Sequence, residues 1–288
     1  MEIGDIVVRK SYDRDITFKI IDIKETNRGY VYVLKGINLR IIADSLEGDL
    51  ELVDRNTCSD YEEVFNRKVN TSIKKILLDR GGIDIRNLNR SVPVKEKKDL
   101  SFGRPGKILH VDGDAEYLEV CLKVYKQLSL DAVGKVIKEN EQPRQIVDIV
   151  KAVKPDIVII TGHDGVVKDT RDFMNLDNYK NSRYFIETVT ELRNYEPGYD
   201  NLVIFAGACQ SHYEAILDAG ANFASSPSRV LIHCLDPVFI CERIAYTNIE
   251  KVVSIKEALQ NTISGANGVG GLQTRGKYRE GFPKSKYS

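Results

Sequence analysis

The chain carries no excess charge of either sign: 42 lysines and arginines stand against 42 aspartates and glutamates. That balance removes the broad attraction that holds phosphate backbones and anionic membranes, so no nucleic acid is expected as a partner. Long hydrophobic runs are missing too. The longest, such as "IVII" and "LVIF", have strand length, and no membrane span is expected. The opening "MEIGDIVVRK" lacks the basic segment and apolar core of an export signal, which predicts a cytoplasmic protein. Five cysteines, Cys58, Cys121, Cys209, Cys234 and Cys241, form no C-x-x-C pair, so neither a disulfide framework nor a zinc knuckle is expected. The glycines near the C-terminus do not sit between a strand and a helix, as a phosphate loop requires, and no metal or other cofactor is implied.

What is present is an ordinary folding composition, 42% hydrophobic and 29% charged over 288 residues, enough for a large α/β domain and a smaller one. Residues 1–55 hold five short β-rich runs, "DIVVRK", "TFKIIDIKE", "YVYVLKG", "LRIIADS" and "LELV", separated by turn signals; they predict a small antiparallel barrel of SH3- or Tudor-like kind. Residues 56–103 read as a helix, "YEEVFNRKVNTSIKKILLDR", followed by a charged linker, "RSVPVKEKKDLSFGRPGK". From residue 104 to 288 strands alternate with helices, which predicts right-handed crossovers and a parallel sheet covered on both faces. The strands are expected at "KILHVD", "AVGKVI", "DIVII", "LVIF" and "RVLIHCLD", and the glycine-rich, basic end as a mobile tail.

In an open parallel sheet, functional groups collect at the carboxyl ends of the strands. The third strand runs into "TGHDG" and the fourth into "AGACQ", so His163 and Cys209 occupy consecutive tips. With the common order 2-1-3-4-5 these strands are neighbours about 4.8 Å apart, close enough for a thiol and an imidazole to work together. A free cysteine is mostly protonated at neutral pH, and an adjacent histidine or helix N-terminus shifts it toward the nucleophilic thiolate. The small residues Ala206, Gly207 and Ala208 leave room for a substrate backbone, and the amides of Cys209 and Asp164 can donate to a developing oxyanion. His110 and His233 lie within strands; His212, three residues after Cys209, is the reserve candidate for the base.

A hydrophobic strand ending in His-Gly and a later one ending in Ala-Cys resembles the caspase-like cysteine peptidases, and here the pattern appears as "IVIITGHDG" and "LVIFAGAC". Asp164 departs from it by standing between His163 and Gly165. The resemblance implies a caspase-like sandwich, a Cys-His dyad, and a primary pocket built from the tips of the first and fifth strands. Those tips carry Asp112, Asp114 and Asp236, and carboxylates suit a guanidinium because each accepts two parallel hydrogen bonds. Helix capping is the competing role for Asp114 and Asp236. The longer stretches "IGDIVVRKSY", "HVDGDAEYLEVCLKVYKQL" and "GACQSHYEAILDAGANFASSPSRVLIHCLDPVFICE" are similar to a sporulation-specific peptidase family of endospore-forming bacteria. That similarity implies a mother-cell protease that cleaves spore coat and cortex-associated proteins after arginine, with possible autoprocessing. Two further classes compete: a non-catalytic spore-assembly scaffold, and a receiver-like binding domain whose "VDGD" acids hold Mg²⁺.

Overall fold

A computed structural model of the protein describes residues 1–27, 29–53, 66–80, 101–167 and 170–285. Cys58 and most of the expected linker lie outside the described residues. The first unit is a five-stranded antiparallel sheet made of β1 (Ile6–Arg9), β2 (Thr17–Thr26), β3 (Gly29–Gly36), β4 (Ile42–Leu46) and β5 (Leu50–Leu52), in the order β4-β3-β2-β1-β5. Alternation along β2 buries Phe18 and Ile20 with Val7, Tyr32, Leu34 and Leu50, while Lys19 between them faces solvent. A register shift between Ile20 and Asp22 ends that alternation. Residues 66–80 form helix α1, whose Ile73 and Ile76 are buried in the core of the second unit.

The second unit is a mixed six-stranded sheet between two layers of helices. After β6 (Phe102–Arg104), the chain runs through β7 (Ile108–Asp112), α2 (Ala115–Gln127), β8 (Ala132–Val136), α3 (Gln142–Val153), β9 (Ile157–Thr161), α4 (Ser182–Tyr195), β10 (Val203–Ala206) and α5 (Tyr213–Asp218). It continues with β11 (Phe223–Ser225), α6 (Asp236–Ala245), β12 (Val252–Val253), α7 (Ile255–Leu259), α8 (Gly265–Gly268), β13 (Val269–Gly271), β14 (Thr274–Arg275) and β15 (Arg279–Gly281). The sheet order is β13-β11-β10-β9-β7-β8, parallel except for β13. The central strands bury apolar side chains on both faces because both are covered: Ile108, Ile159 and Phe205 pack under α2 and α6, while Leu109, Ile160 and Ile204 meet α3 and α4.

The predicted order of the first four strands matches the sheet, but the fifth does not come from "RVLIHCLD". The short β11 takes that edge and β13 closes on it. Residues 229–235 are set off by left-handed backbone at Ser226 (φ 67°) and Arg229 (φ 54°), and they run outside the sheet with one antiparallel bridge, His233 to Leu39. The glycine-rich end is likewise not a mere tail, since it supplies β13, β14 and β15, paired with β11, β12 and β6.

Candidate active site

His163 and Cys209 stand at equivalent positions of neighbouring parallel strands. Ile160 of β9 is in register with Ala206 of β10, and His163 and Cys209 each follow three positions later. The turn out of β10 needs Gly207, whose φ of 107° suits glycine and whose added Cβ would crowd Ile216, Ser225 and Ser211 at 3.2–3.3 Å. Gln210, immediately after Cys209, is also held at a positive φ of 56°, the kind of backbone strain that gathers at functional sites. The Cys209 sulfur takes the N–H of Ile232 at 3.2 Å and lies 3.8 Å from the Ile232 carbonyl oxygen. The side chain is only 1% exposed, and burial pushes its thiol up to about 11, against smaller opposing effects of the Ile232 and Arg40 amides.

His163 is held from two directions. Its N–H donates to Glu139 Oε1 at 2.7 Å, and its Nε2 meets Asp114 Oδ2 at 2.8 Å. A carboxylate only accepts, so Nε2 carries the hydrogen and Nδ1 is left as the free lone pair. Nδ1 is buried and has no hydrogen-bond partner among the described residues, and no hydrogen bond joins it to Cys209 there. Glu139 reaches this loop because Gly113 and Gly162 lack side chains; a Cβ on either would collide with its carboxylate. Nothing in the polar stretch "KENEQP" marks Glu139 as the partner of the His163 amide.

The three aspartates separate. Asp114 caps α2, accepting from the amides of Glu116 and Tyr117, and its carboxylate also meets His163 and Lys35, each at 2.8 Å. Burial alone would raise its pKa; the contacts with His163 and Lys35 outweigh that and hold it below the ordinary carboxylate range. Asp112, 0% exposed, accepts from the Thr161 hydroxyl at 2.8 Å and lies 2.5 Å from Nη1 of Arg40. Burial alone would raise the Asp112 pKa; Arg40, His110 and the Asp114 amide together outweigh that and hold it well below the ordinary carboxylate range. Asp236 opens α6 and accepts from the amides of His233, Ile263 and Ser264. Its carboxylate is thereby taken up by main chain outside α6, and among the described residues it caps none of that helix's own amides.

Asp164, the departure from the sequence pattern, is a tie between loops. Its carboxylate accepts from the amides of Gly165 and Asn181 at 2.9 and 2.8 Å, from the Ser211 hydroxyl at 2.8 Å, and from the Ser182 hydroxyl. It therefore joins the His163 loop, the start of α4 and the Cys209 loop. Neither the Asp164 nor the Cys209 amide donates to another group among the described residues. His212, the reserve base, is a structural cap: its Nδ1 accepts from the Ala215 amide and its Nε2 lies 3.1 Å from the Met174 carbonyl oxygen. His110 lies inside β7 between Tyr125 and Thr161. The acids of "VDGD" are engaged by Arg40, Thr161, His163 and Lys35, an arrangement unlike an open magnesium site. Among the described residues no helix is long and apolar enough to cross a membrane.

Comparison with known proteins places the chain. A family model described as YabG peptidase U57 matches residues 2–283. The sporulation-specific protease YabG of Bacillus subtilis (strain 168) is 40% identical over 283 residues, covering 98% of each chain. By the breadth of both matches, the chain belongs to the YabG peptidase family.

Proposed function

We propose that the protein is a cysteine endopeptidase of sporulation that cleaves spore coat and cortex-associated proteins after arginine, in the cytoplasm of the mother cell. The observation that carries this reading is the pair His163 and Cys209 at register-matched tips of adjacent strands, with a buried carboxylate, Asp112, at the tip of the next strand. Residues 104–288 make the caspase-like sandwich and residues 1–55 the SH3- or Tudor-like barrel.

In the reaction, Nδ1 of His163 takes the thiol proton as the Cys209 sulfur attacks the carbonyl carbon of the substrate. A C–S bond forms while the carbonyl π pair moves onto oxygen, where the amides of Cys209 and Asp164 receive it. Collapse expels the amine, which leaves with the proton from His163, and a thioester remains on Cys209. Water, deprotonated by His163, then attacks the thioester, and the sulfur departs to recover its proton. Asp114 keeps the hydrogen on Nε2 so that Nδ1 stays the acceptor throughout, a positioning role in place of the pocket role expected from sequence. Asp112 reads the substrate arginine; a lysine ammonium cannot reproduce the planar fork.

The test compares hydrolysis of matched arginyl and lysyl peptides by the wild type and Cys209→Ala. The wild type should favour arginine, and the variant should remain folded and lose all turnover. A folded Cys209→Ala chain that still cleaves would overturn the assignment.

A further inference from the structure

The segment joining β3 to β4, residues 37–41, leaves the first sheet and enters the site. Leu39 forms an antiparallel bridge with His233, and the Cys234 N–H donates to the Asn38 carbonyl at 3.3 Å. This short strand therefore pairs with the stretch whose Ile232 amide holds the Cys209 sulfur. The next residue, Arg40, is 0% exposed, with Nη1 2.5 Å from Asp112 and Nη2 3.8 Å from the Cys121 sulfur. The Tyr117 ring lies 5.1 Å from its guanidinium, and the Tyr117 hydroxyl is 2.7 Å from the Leu39 carbonyl oxygen. Strand addition beside a nucleophile, with a guanidinium on a buried carboxylate, is the way an extended peptide with an arginine before the cut would lie.

We propose that residues 38–40 are a built-in pseudosubstrate: Arg40 fills the arginine pocket of the same chain, and the N-terminal sheet is an inhibitory module that must lift before Cys209 meets a substrate. This rests on the reading of Cys209 as nucleophile and Asp112 as the arginine reader. Two features make the segment an occupant more than a substrate. Beyond Arg40 the chain folds back at once, the Ile41 N–H reaching the Leu39 carbonyl at 2.8 Å and the Ile41 carbonyl accepting from Gly36 at 2.9 Å, so nothing extends through the leaving side of the cleft. The fit is also imperfect. Nη1 is close to Asp112 in distance, yet neither it nor Nε makes a well-angled hydrogen bond, and buried donors left that way cost stability. A substrate arginine that engages Asp112 with both prongs can compete for the pocket.

The experiment uses the full chain as wild type, Arg40→Ala and Arg40→Gln; the glutamine keeps a neutral hydrogen-bonding partner beside Asp112. The first readout is the rate of iodoacetamide alkylation at Cys209, with Cys241, buried on α6, as the internal monitor of unfolding. The second is the initial rate on a fluorogenic arginyl peptide. In at least one variant Cys209 should alkylate about tenfold faster or more, as the open fraction rises toward unity, while Cys241 stays protected and peptide hydrolysis rises alike. If in both variants Cys209 stays as slow as in the wild type, or reacts only together with Cys241, Arg40 is a structural strut and the pseudosubstrate is overturned. If Cys209 alone becomes reactive and the peptide is hydrolysed no faster, the occluding role stands and the assignment of Cys209 and Asp112 to catalysis falls.

Discussion

Four histidines compete for one role, and their surroundings separate them. His110 is closed in by Tyr125 and Thr161, and His212 is spent on a helix cap and the Met174 carbonyl. His163 alone of these three has its Nε2 oriented by a carboxylate and its Nδ1 uncommitted. His163→Ala should therefore lower kcat on an arginyl peptide by about 10²- to 10⁴-fold with the melting temperature nearly unchanged. His212→Ala should instead lower the melting temperature, at a cost of about 1 kcal/mol for the lost cap, and keep most of the turnover. Steady-state kinetics with thermal melts of both variants checks this, and a larger kcat loss in His212→Ala would reverse the assignment. The sequence places His163 and Cys209 correctly at strand tips because apolar runs mark where strands stop. It does not disclose the Glu139 or Asp114 contacts to His163, because neither a charge that reaches across two glycines nor a cap that also meets an imidazole leaves any periodic trace.

Helices and long strands were legible for the same reason at the next scale: both faces of the sheet are covered, so β9 and β10 are mostly apolar runs and β7 is interrupted only by His110 and its terminal Asp112. The three-residue β11 carries too little pattern to announce itself, whereas "RVLIH" has the β-branched look of a strand and is diverted by the left-handed residues before it. The docking of α1 was not legible either, although it is specific. Arg80 at its end donates to Glu242 Oε1 through Nε and Nη2 at 2.9 and 2.6 Å, and to the Leu128 carbonyl at 2.8 Å, with its guanidinium 3.5 Å over the Tyr246 ring. Burial raises the Glu242 pKa despite that cation. Arg80→Ala leaves a buried carboxylate unpaired and should cost about 3 kcal/mol in denaturant unfolding, while the double variant Arg80→Ala/Glu242→Gln should recover a large part of it. Equal losses in the single and double variants would show that the helix is held by packing alone.

For the molecule as a whole, the contacts between the two units are what sequence patterns could least supply, since Arg40 meets Asp112 across a quarter of the chain, and Asn38 meets Cys234 and Leu39 meets His233 across two thirds of it. One of these contact residues makes the fold sensitive to acid. Burial drives the His233 pKa down from 6.5 to about 4, helped by the charges of Arg40 and Lys68. Between those values the unfolded chain binds the proton and the folded chain does not, so stability rises with pH across the window and is lost on acidification through it. About 2 kcal/mol should disappear between pH 7 and pH 5 from this group. The buried carboxyls of Asp164, Asp236 and Glu242 are shifted upward and act in the opposite sense, so the measurement is a difference: denaturant unfolding of wild type against His233→Asn at both pH values. Parallel pH dependence in the two proteins would rule His233 out as its source.

The carboxylate of Asp164 can be viewed as a gauge. It is the residue next to the proposed base, and one of its acceptor bonds runs to Ser211, two residues beyond the proposed nucleophile. The spacing of the two loops is thus set by the length of a single side chain, the sum of one methylene, one carboxylate and one hydrogen bond. A glutamate in its place would keep the charge and every partner's chemistry but lengthen the spacer by one carbon, and a misplacement of about 1 Å is enough to cost a reaction about a hundredfold. What looks in the sequence like an intruder between His163 and Gly165 is, on this measure, the part that calibrates the distance between the proposed base and the proposed nucleophile.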